Sequence, residues 1–202
     1  MVNLMLSEPA ILKLFERQKA YRTRELLQQG VHPRQLYHLR DQGLLETVER
    51  GLFVLSEETM LSNPDFVIVA SKVPKAVICL LSAASYHNLT THIPNRVDIA
   101  LPAFTSTPRL GFPPVSVYRF SEPAYSMGIE TVMIDGIQVQ MYDAEKTVVD
   151  LFKFRNKLGV DVAVEVLKCY LERHTRNLER LNRYAVLCRM ANVMRPYLEA
   201  LV

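Results

Sequence analysis

Residues 32–55 read HPRQLYHLRDQGLLETVERGLFVL. Pro33 stands where a helix can begin, because the N–H it lacks would have no partner in a first turn. Gly43 stands where one can end. A helix turns about 100° per residue, so Leu36, Leu39 and Gly43 return to one side. Behind it, Leu44–Val48 and Gly51–Leu55 are strand-like runs joined through Glu49-Arg50-Gly51, which reads as a β-hairpin. Two amphipathic stretches precede: AILKLFERQK (10–19), and TRELLQQ, with Thr23 as its expected N-cap and Gly30 as its stop. Three helices followed by a hairpin predict a winged helix-turn-helix domain over residues 1–60.

The side of the third helix turned away from Leu36 carries Arg34, Tyr37, His38 and Asp41, with His32 and Gln35 near its start. A recognition helix presents such side chains to the major groove from its N-terminal turns. Arg34 suits guanine, while Tyr37 and His38 suit a base or a phosphate. Asp41 fits only a cytosine or the groove edge. Arg50 would be a cation at the tip of the wing. Arg22, Thr23 and Arg24 open the second helix, where backbone N–H groups favour phosphate. These nine residues, Asp41 aside, are the expected DNA contacts.

Outward from this block, the polar stretch SEETMLSNPD (56–65) places a boundary near residue 60. Residues 61–202 then mix types. LLSAASYHNL suggests a helix, and strand-like runs follow at 96–101, 115–120, 129–134 and 137–142. Asp135-Gly136, between the last two, is a strong two-residue hairpin signal. Helical patterns cover roughly 144–157, 160–174 and 177–195, with Pro196 expected to end or kink the last. The fold class is α+β: a winged helix, then a mixed α+β domain with a helical tail.

The composition is that of a soluble globular protein, 49% hydrophobic and 22% charged. No run approaches a membrane span, and the N-terminus does not read as an export signal, so a cytoplasmic protein is expected. Cys79, Cys169 and Cys188 are far apart and set among apolar residues, which argues against a disulfide framework or a metal set. Charge concentrates at the two ends: residues 13–40 carry seven basic residues against Glu16 and Glu25, and residues 151–202 carry ten against five acidic ones. In the latter, Arg176, Arg180 and Arg183 recur at helical spacing and Arg173 extends them. They form either a solvated face or a surface for a polyanion.

Asp143, Glu145 and Asp150 invite a metal reading. Asp143 reads better as an N-cap, Glu145 as a first-turn acid, and Glu145 and Asp150 point apart. His87, His92 and His174 are isolated. No phosphate loop or nucleophile elbow occurs, so no enzyme, cofactor or metal is expected.

The stretch YRTRELLQQGVHPRQLYHLRDQGLLETVERGLFVLS resembles the N-terminal winged helix of the AbiEi antitoxins of type IV (abortive infection) toxin–antitoxin systems. The likeness lies in Gly30-Val31, Leu36, Leu39, Gly43-Leu44 and the wing Arg50-Gly51-Leu52-Phe53. Downstream, CLLSAASYHNLTTHIP (79–94) and VQMYDAEKTVVDLF (139–152) resemble two further blocks, although Ala144 and Lys146 replace the usual Pro and Arg. The resemblance implies a phage-defence autorepressor that binds inverted repeats in its own promoter. It also implies that the C-terminal domain counteracts a nucleotidyltransferase-type toxin, with or without a stable complex, and Arg173, Arg176, Arg180 and Arg183 are then the expected antitoxin surface. The alternative is a stand-alone winged-helix regulator whose second domain senses a ligand or dimerises.

Overall fold

The computed structural model describes residues 6–56 and 61–201. The chain forms two compact units, Met1–Pro74 with Met133–Val139, and Lys75–Val132 with Gln140–Val202. The boundary expected near residue 60 borders residues 57–60, which lie outside the described residues. The first compact unit continues past them.

In the first unit the order is α1 (Glu8–Arg17), β1 (Ala20–Arg22), α2 (Thr23–Gln28), α3 (Pro33–Asp41), β2 (Leu45–Glu49), β3 (Leu52–Leu55) and α4 (Pro64–Lys72). The expected hairpin is present, with β3 at the centre of an antiparallel β1-β3-β2 sheet. β1 went unread because three residues, AYR, carry no alternation of their own. Their strand exists through pairing of Ala20 with Val54, Tyr21 with Phe53 and Arg22 with Leu52. That pairing also moves the N-cap of α2 to Arg22. Thr23, expected as the cap, is the first helical residue instead.

Ile11, Phe15, Leu26, Leu36, Leu39, Leu45 and Phe53 close one small core. Burial of each such side chain contributes about 1.5–3 kcal/mol. Leu36 and Leu39 are fully buried, so the helical period of α3 did orient it as the spacing predicts. Gly51 adopts a left-handed φ of +82° in the hairpin turn, a conformation nearly free of strain only for glycine.

The second unit contains β4 (Val77–Ile78), α5 (Leu80–Tyr86), β5 (Val97–Pro102) and β6 (Val115–Phe120). It also holds most of β7 (Ile129–Ile134) and the second half of β8 (Ile137–Tyr142). These strands form a sheet of order β6-β5-β4-β8-β7. Asp135 and Gly136 both take positive φ, +52° and +90°, as the turn between β7 and β8 requires. Helices α6 (Ala144–Lys153), α7 (Arg155–Leu158), α8 (Val160–Leu171), α9 (Leu178–Leu187) and α10 (Ala191–Leu201) complete the chain. The molecule is thus α+β.

The helical tail is more broken than its apolar period suggests. Gly159 and Arg189 take positive φ at +102° and +60°, separating α7 from α8 and α9 from α10. Pro196 does not end the last helix; α10 runs through it to Leu201. Helix α6 sits deepest, with eight of its ten residues buried, among them Glu145, Lys146, Thr147 and Asp150. Asp143 caps it, accepting from Lys146 N at 2.7 Å, as the sequence predicts. Among the described residues no helix is long and apolar enough to cross a membrane.

Candidate nucleic-acid interface

Helix α3 is held at its start by two side chains that the sequence assigns to DNA. His32 Nδ1 accepts from Arg34 N at 3.2 Å, and Gln35 Oε1 accepts from His32 N at 3.0 Å. Gln35 Nε2 in turn donates to Leu6 O at 2.6 Å. Both amide ends of Gln35 are therefore used inside the protein. Acceptance at Nδ1 requires the neutral ring with its proton on Nε2. His32 and Gln35 thus set the pitch and entry of the helix.

The remaining outward residues are presented to solvent. Arg34 is exposed, and Tyr37 is half exposed with its ring edge-on to Phe53, centroids 6.2 Å apart. The contact joins α3 to the hairpin through one aromatic pair. His38 lies 3.6 Å from Glu8 Oε1 and 3.0 Å from Gln42 Nε2. Asp41 is paired to Arg40, whose Nε and terminal nitrogen donate to Oδ1 at 3.0 and 2.7 Å.

Arg40 is a residue that sequence reasoning missed. The helical wheel places it beside the core-facing leucines. Its long arm instead swings outward until the guanidinium carbon lies 5.0 Å from the centroid of the Tyr37 ring. A cation over that face draws the ring into a fixed orientation. An arginine three residues after an exposed tyrosine was the available signal.

The hairpin turn and the start of α2 are bonded to each other. Thr23 donates to Gly51 O through both its N–H, at 2.9 Å, and its hydroxyl, at 3.3 Å. Arg24 and Arg50 accordingly flank one junction, and both are exposed. Arg22 is used differently: its guanidinium donates to Ala70 O at 3.2 Å and Ser71 Oγ at 3.4 Å, at the end of α4. The turn end of the hairpin is pinned to the same helix, where Lys72 Nζ meets Glu49 Oε1 at 2.8 Å. That hydrogen bond holds the Glu49 carboxyl below the usual range.

The electrostatic result is one-sided. Glu25 accepts from Arg22 N, Asp41 from Arg40, and Glu49 from Lys72. Among the described residues Arg24, Arg34 and Arg50 make no side-chain hydrogen bond or ion pair. Among the described residues the guanidinium groups of Arg24, Arg34 and Arg50 stay free and Glu25, Asp41 and Glu49 are engaged, while Glu46 on β2 is exposed without a side-chain partner.

The second basic zone, within the other unit, does not form a single helical stripe. Arg176 lies ahead of α9, because Asn177 is the N-cap and accepts from Arg180 N. Its guanidinium donates to Leu171 O at 2.9 Å and Arg173 O at 3.3 Å, closing the end of α8. Arg180 sits 3.7 Å from Asp143 and 3.8 Å from Glu145. Arg183 is exposed and rests over its neighbour Tyr184 at 5.7 Å. The spacing missed these fates because they depend on acceptors elsewhere in the unit.

Arg173, Arg180, His87, Asp143, Glu145 and Tyr170 line a polar hollow of about 220 Å³. Tyr184 and Tyr170 donate to Asp143 and Glu145 at 2.9 and 2.8 Å, and His87 Nε2 lies 2.7 Å from Tyr142 O. Burial raises the Asp143 carboxyl from its ordinary value. Among the described residues no group of three or more His, Cys, Asp or Glu is arranged to hold a metal ion.

Comparison with known proteins agrees with the first unit. The family described as "Transcriptional regulator, AbiEi antitoxin" matches residues 9–56. No curated protein matches the chain by sequence. The crystal structure of the RV2827C protein from Mycobacterium tuberculosis superposes with a TM-score of 0.56 at 17% identity, covering 87% of this chain and 70% of that one. At that identity the likeness is one of fold. Residues 9–56, which hold α1 to α3 and the hairpin, thus carry the sequence pattern of the AbiEi antitoxin family of transcriptional regulators.

Proposed function

We propose that this chain is a DNA-binding transcriptional repressor, with residues of the first unit acting as a winged helix-turn-helix. Helix α3 enters the major groove and the β2–β3 turn touches the flanking backbone. The observation that carries this reading is the set of three guanidinium groups, Arg24, Arg34 and Arg50, around α3 and the hairpin, free among the described residues, with Glu25, Asp41 and Glu49 engaged by other partners. Arg34 reads a base edge, Tyr37 and His38 contact a base or phosphate, and Arg24 and Arg50 bind phosphate. Arg22, Thr23, His32 and Gln35 shape the surface from behind.

The family pattern over residues 9–56 supports an antitoxin role. In this reading the chain represses its own operon through inverted repeats and counteracts a nucleotidyltransferase-type toxin. Two measurements test it. Titration of the protein on its own promoter should show binding to inverted repeats above random duplex, and growth should be rescued when it is co-expressed with a toxic neighbouring gene. Equal affinity for promoter and random DNA would remove the repressor reading. A neighbour whose toxicity is unaffected would remove the antitoxin reading alone.

A further inference from the structure

The polar hollow of the second unit is lined by two sets of opposite charge. Arg173, Thr175 and Arg180 come from the end of α8 and the start of α9. Glu130 comes from β7, and Asp143 and Glu145 from the cap and first turn of α6. Asp143 spends both oxygens inside the protein, Oδ1 on Lys146 N at 2.7 Å and Oδ2 on Tyr184 at 2.9 Å. Glu145 spends only Oε1, which accepts from Tyr170 at 2.8 Å. Its Oε2 has Arg180 at 3.8 Å, and the same guanidinium stands 3.7 Å from Asp143 Oδ2. Both separations exceed the roughly 2.7–2.9 Å of a charge-assisted hydrogen bond. The Glu145 side chain is 8% exposed, and the hollow it lines is where its free oxygen meets solvent.

Arg173, Thr175 and Glu130 make no side-chain hydrogen bond or ion pair among the described residues. The hollow therefore offers an open guanidinium and a hydroxyl from one set of elements, and two open carboxylate groups from the other. His87 adds an acceptor: its Nε2 donates to Tyr142 O, 2.7 Å away, which leaves Nδ1 unprotonated in the neutral ring. A simple anion would meet three carboxylates here, and a simple cation two guanidinium groups. A molecule that carries both charges satisfies both sets, each through charge-assisted hydrogen bonds. The hollow, about 220 Å³, has room for roughly seven waters at ~30 Å³ each. That suits a compact molecule and leaves little space for a long side chain.

We propose that the hollow binds a free α-amino acid with a small side chain, its ammonium held by Glu145 Oε2 and Glu130 and its carboxylate by Arg173 and Thr175. The zwitterion brings the donor that the buried Glu145 oxygen lacks and the acceptor that Arg173 lacks. Inorganic phosphate brings only the second and a polyamine only the first. Every group involved belongs to the second unit, so the proposal is independent of the reading of the first.

The test is an NMR titration of the whole protein with glycine, alanine, serine and threonine, each added singly. At least one should give saturable shifts at the Ala144 and Thr175 amides. Its amide and N-acetyl derivatives, which lack the anionic and the cationic group in turn, should bind about ten- to a hundredfold more weakly, the value of one hydrogen bond to a charged group. Arg173→Gln should weaken the amino acid by a similar factor and abolish its advantage over the amide. Glu130→Gln should abolish its advantage over the N-acetyl derivative. Both side chains reach solvent, so these variants keep the fold, which matching thermal melts verify. Arg195→Gln, on α10, should bind as the wild type does. Absence of saturable shifts with all of these amino acids overturns the proposal, and so does unchanged affinity in the Arg173 and Glu130 variants. Inorganic phosphate or spermidine binding as tightly as the amino acid overturns it as well.

Discussion

Lys146 Nζ lies 2.5 Å from Asp150 Oδ2, one turn apart on α6, and neither side chain reaches solvent. The ammonium also lies 4.1 and 4.7 Å from the ring centroids of Tyr142 and Phe120. Among the described residues Asp150 Oδ1 has no hydrogen-bond partner. A pair removed from water this completely is retained by mutual attraction and by the aromatic faces around it. Neither member can be withdrawn without leaving the other charge stranded.

Lys146→Met is therefore expected to destabilise the second unit by about 3–5 kcal/mol. Adding Asp150→Leu to it should recover much of that loss, because both charges are then gone. Urea unfolding of the two variants checks this. A single variant as stable as the wild type would show that the pair is neutralised in the native state.

Asp98 gives a pH dependence. Burial pushes its carboxyl up to about 6, although Leu81 N donates to it. In the unfolded chain the group ionises near 4. Between those values the folded state holds the extra proton, so stability is highest below about pH 4 and falls as pH rises through 6. Asp98→Asn should flatten that fall, by on the order of 2 kcal/mol. Chemical denaturation across this window decides it, and an equal slope in the variant would assign the effect to Asp143 and Asp150.

At the start of α3, loss of a cap and loss of a base contact should be separable. His32→Ala is expected to cost about 1 kcal/mol of stability, the usual value of an N-cap acceptor. Arg34→Ala should leave stability unchanged and weaken operator binding by about 1–3 kcal/mol, with a smaller loss on random duplex. Thermal melts paired with titrations distinguish the two. Equal losses on operator and random DNA would make Arg34 a phosphate contact.

Arg50 sits in the β2–β3 turn with a guanidinium that has no partner among the described residues, while its neighbour Glu49 is taken up by Lys72. Arg50→Ala should weaken binding to every duplex and lower the slope of log K against log salt by about one unit. Lys72→Ala should release Glu49 beside the DNA and weaken binding as well, without Lys72 touching phosphate. A salt slope identical to wild type in Arg50→Ala would take the turn off the DNA.

What the sequence by itself determined is local. Pro33 and Gly43 bound α3, Leu36 and Leu39 set its buried side, Asp135-Gly136 turns β7 into β8, and Asp143 caps α6. Each rests on capping, periodicity or positive φ, properties of a few consecutive residues. What only the tertiary structure decided is where long polar side chains end. Arg22 is spent on α4, Gln35 on Leu6, Arg176 on the carbonyls of α8, and Arg180 faces Asp143 and Glu145. Helical spacing gives the direction in which such an arm leaves the backbone. Its partner is whatever acceptor a distant segment brings within reach. The same holds for β1, three residues that are a strand only because β3 lies beside them.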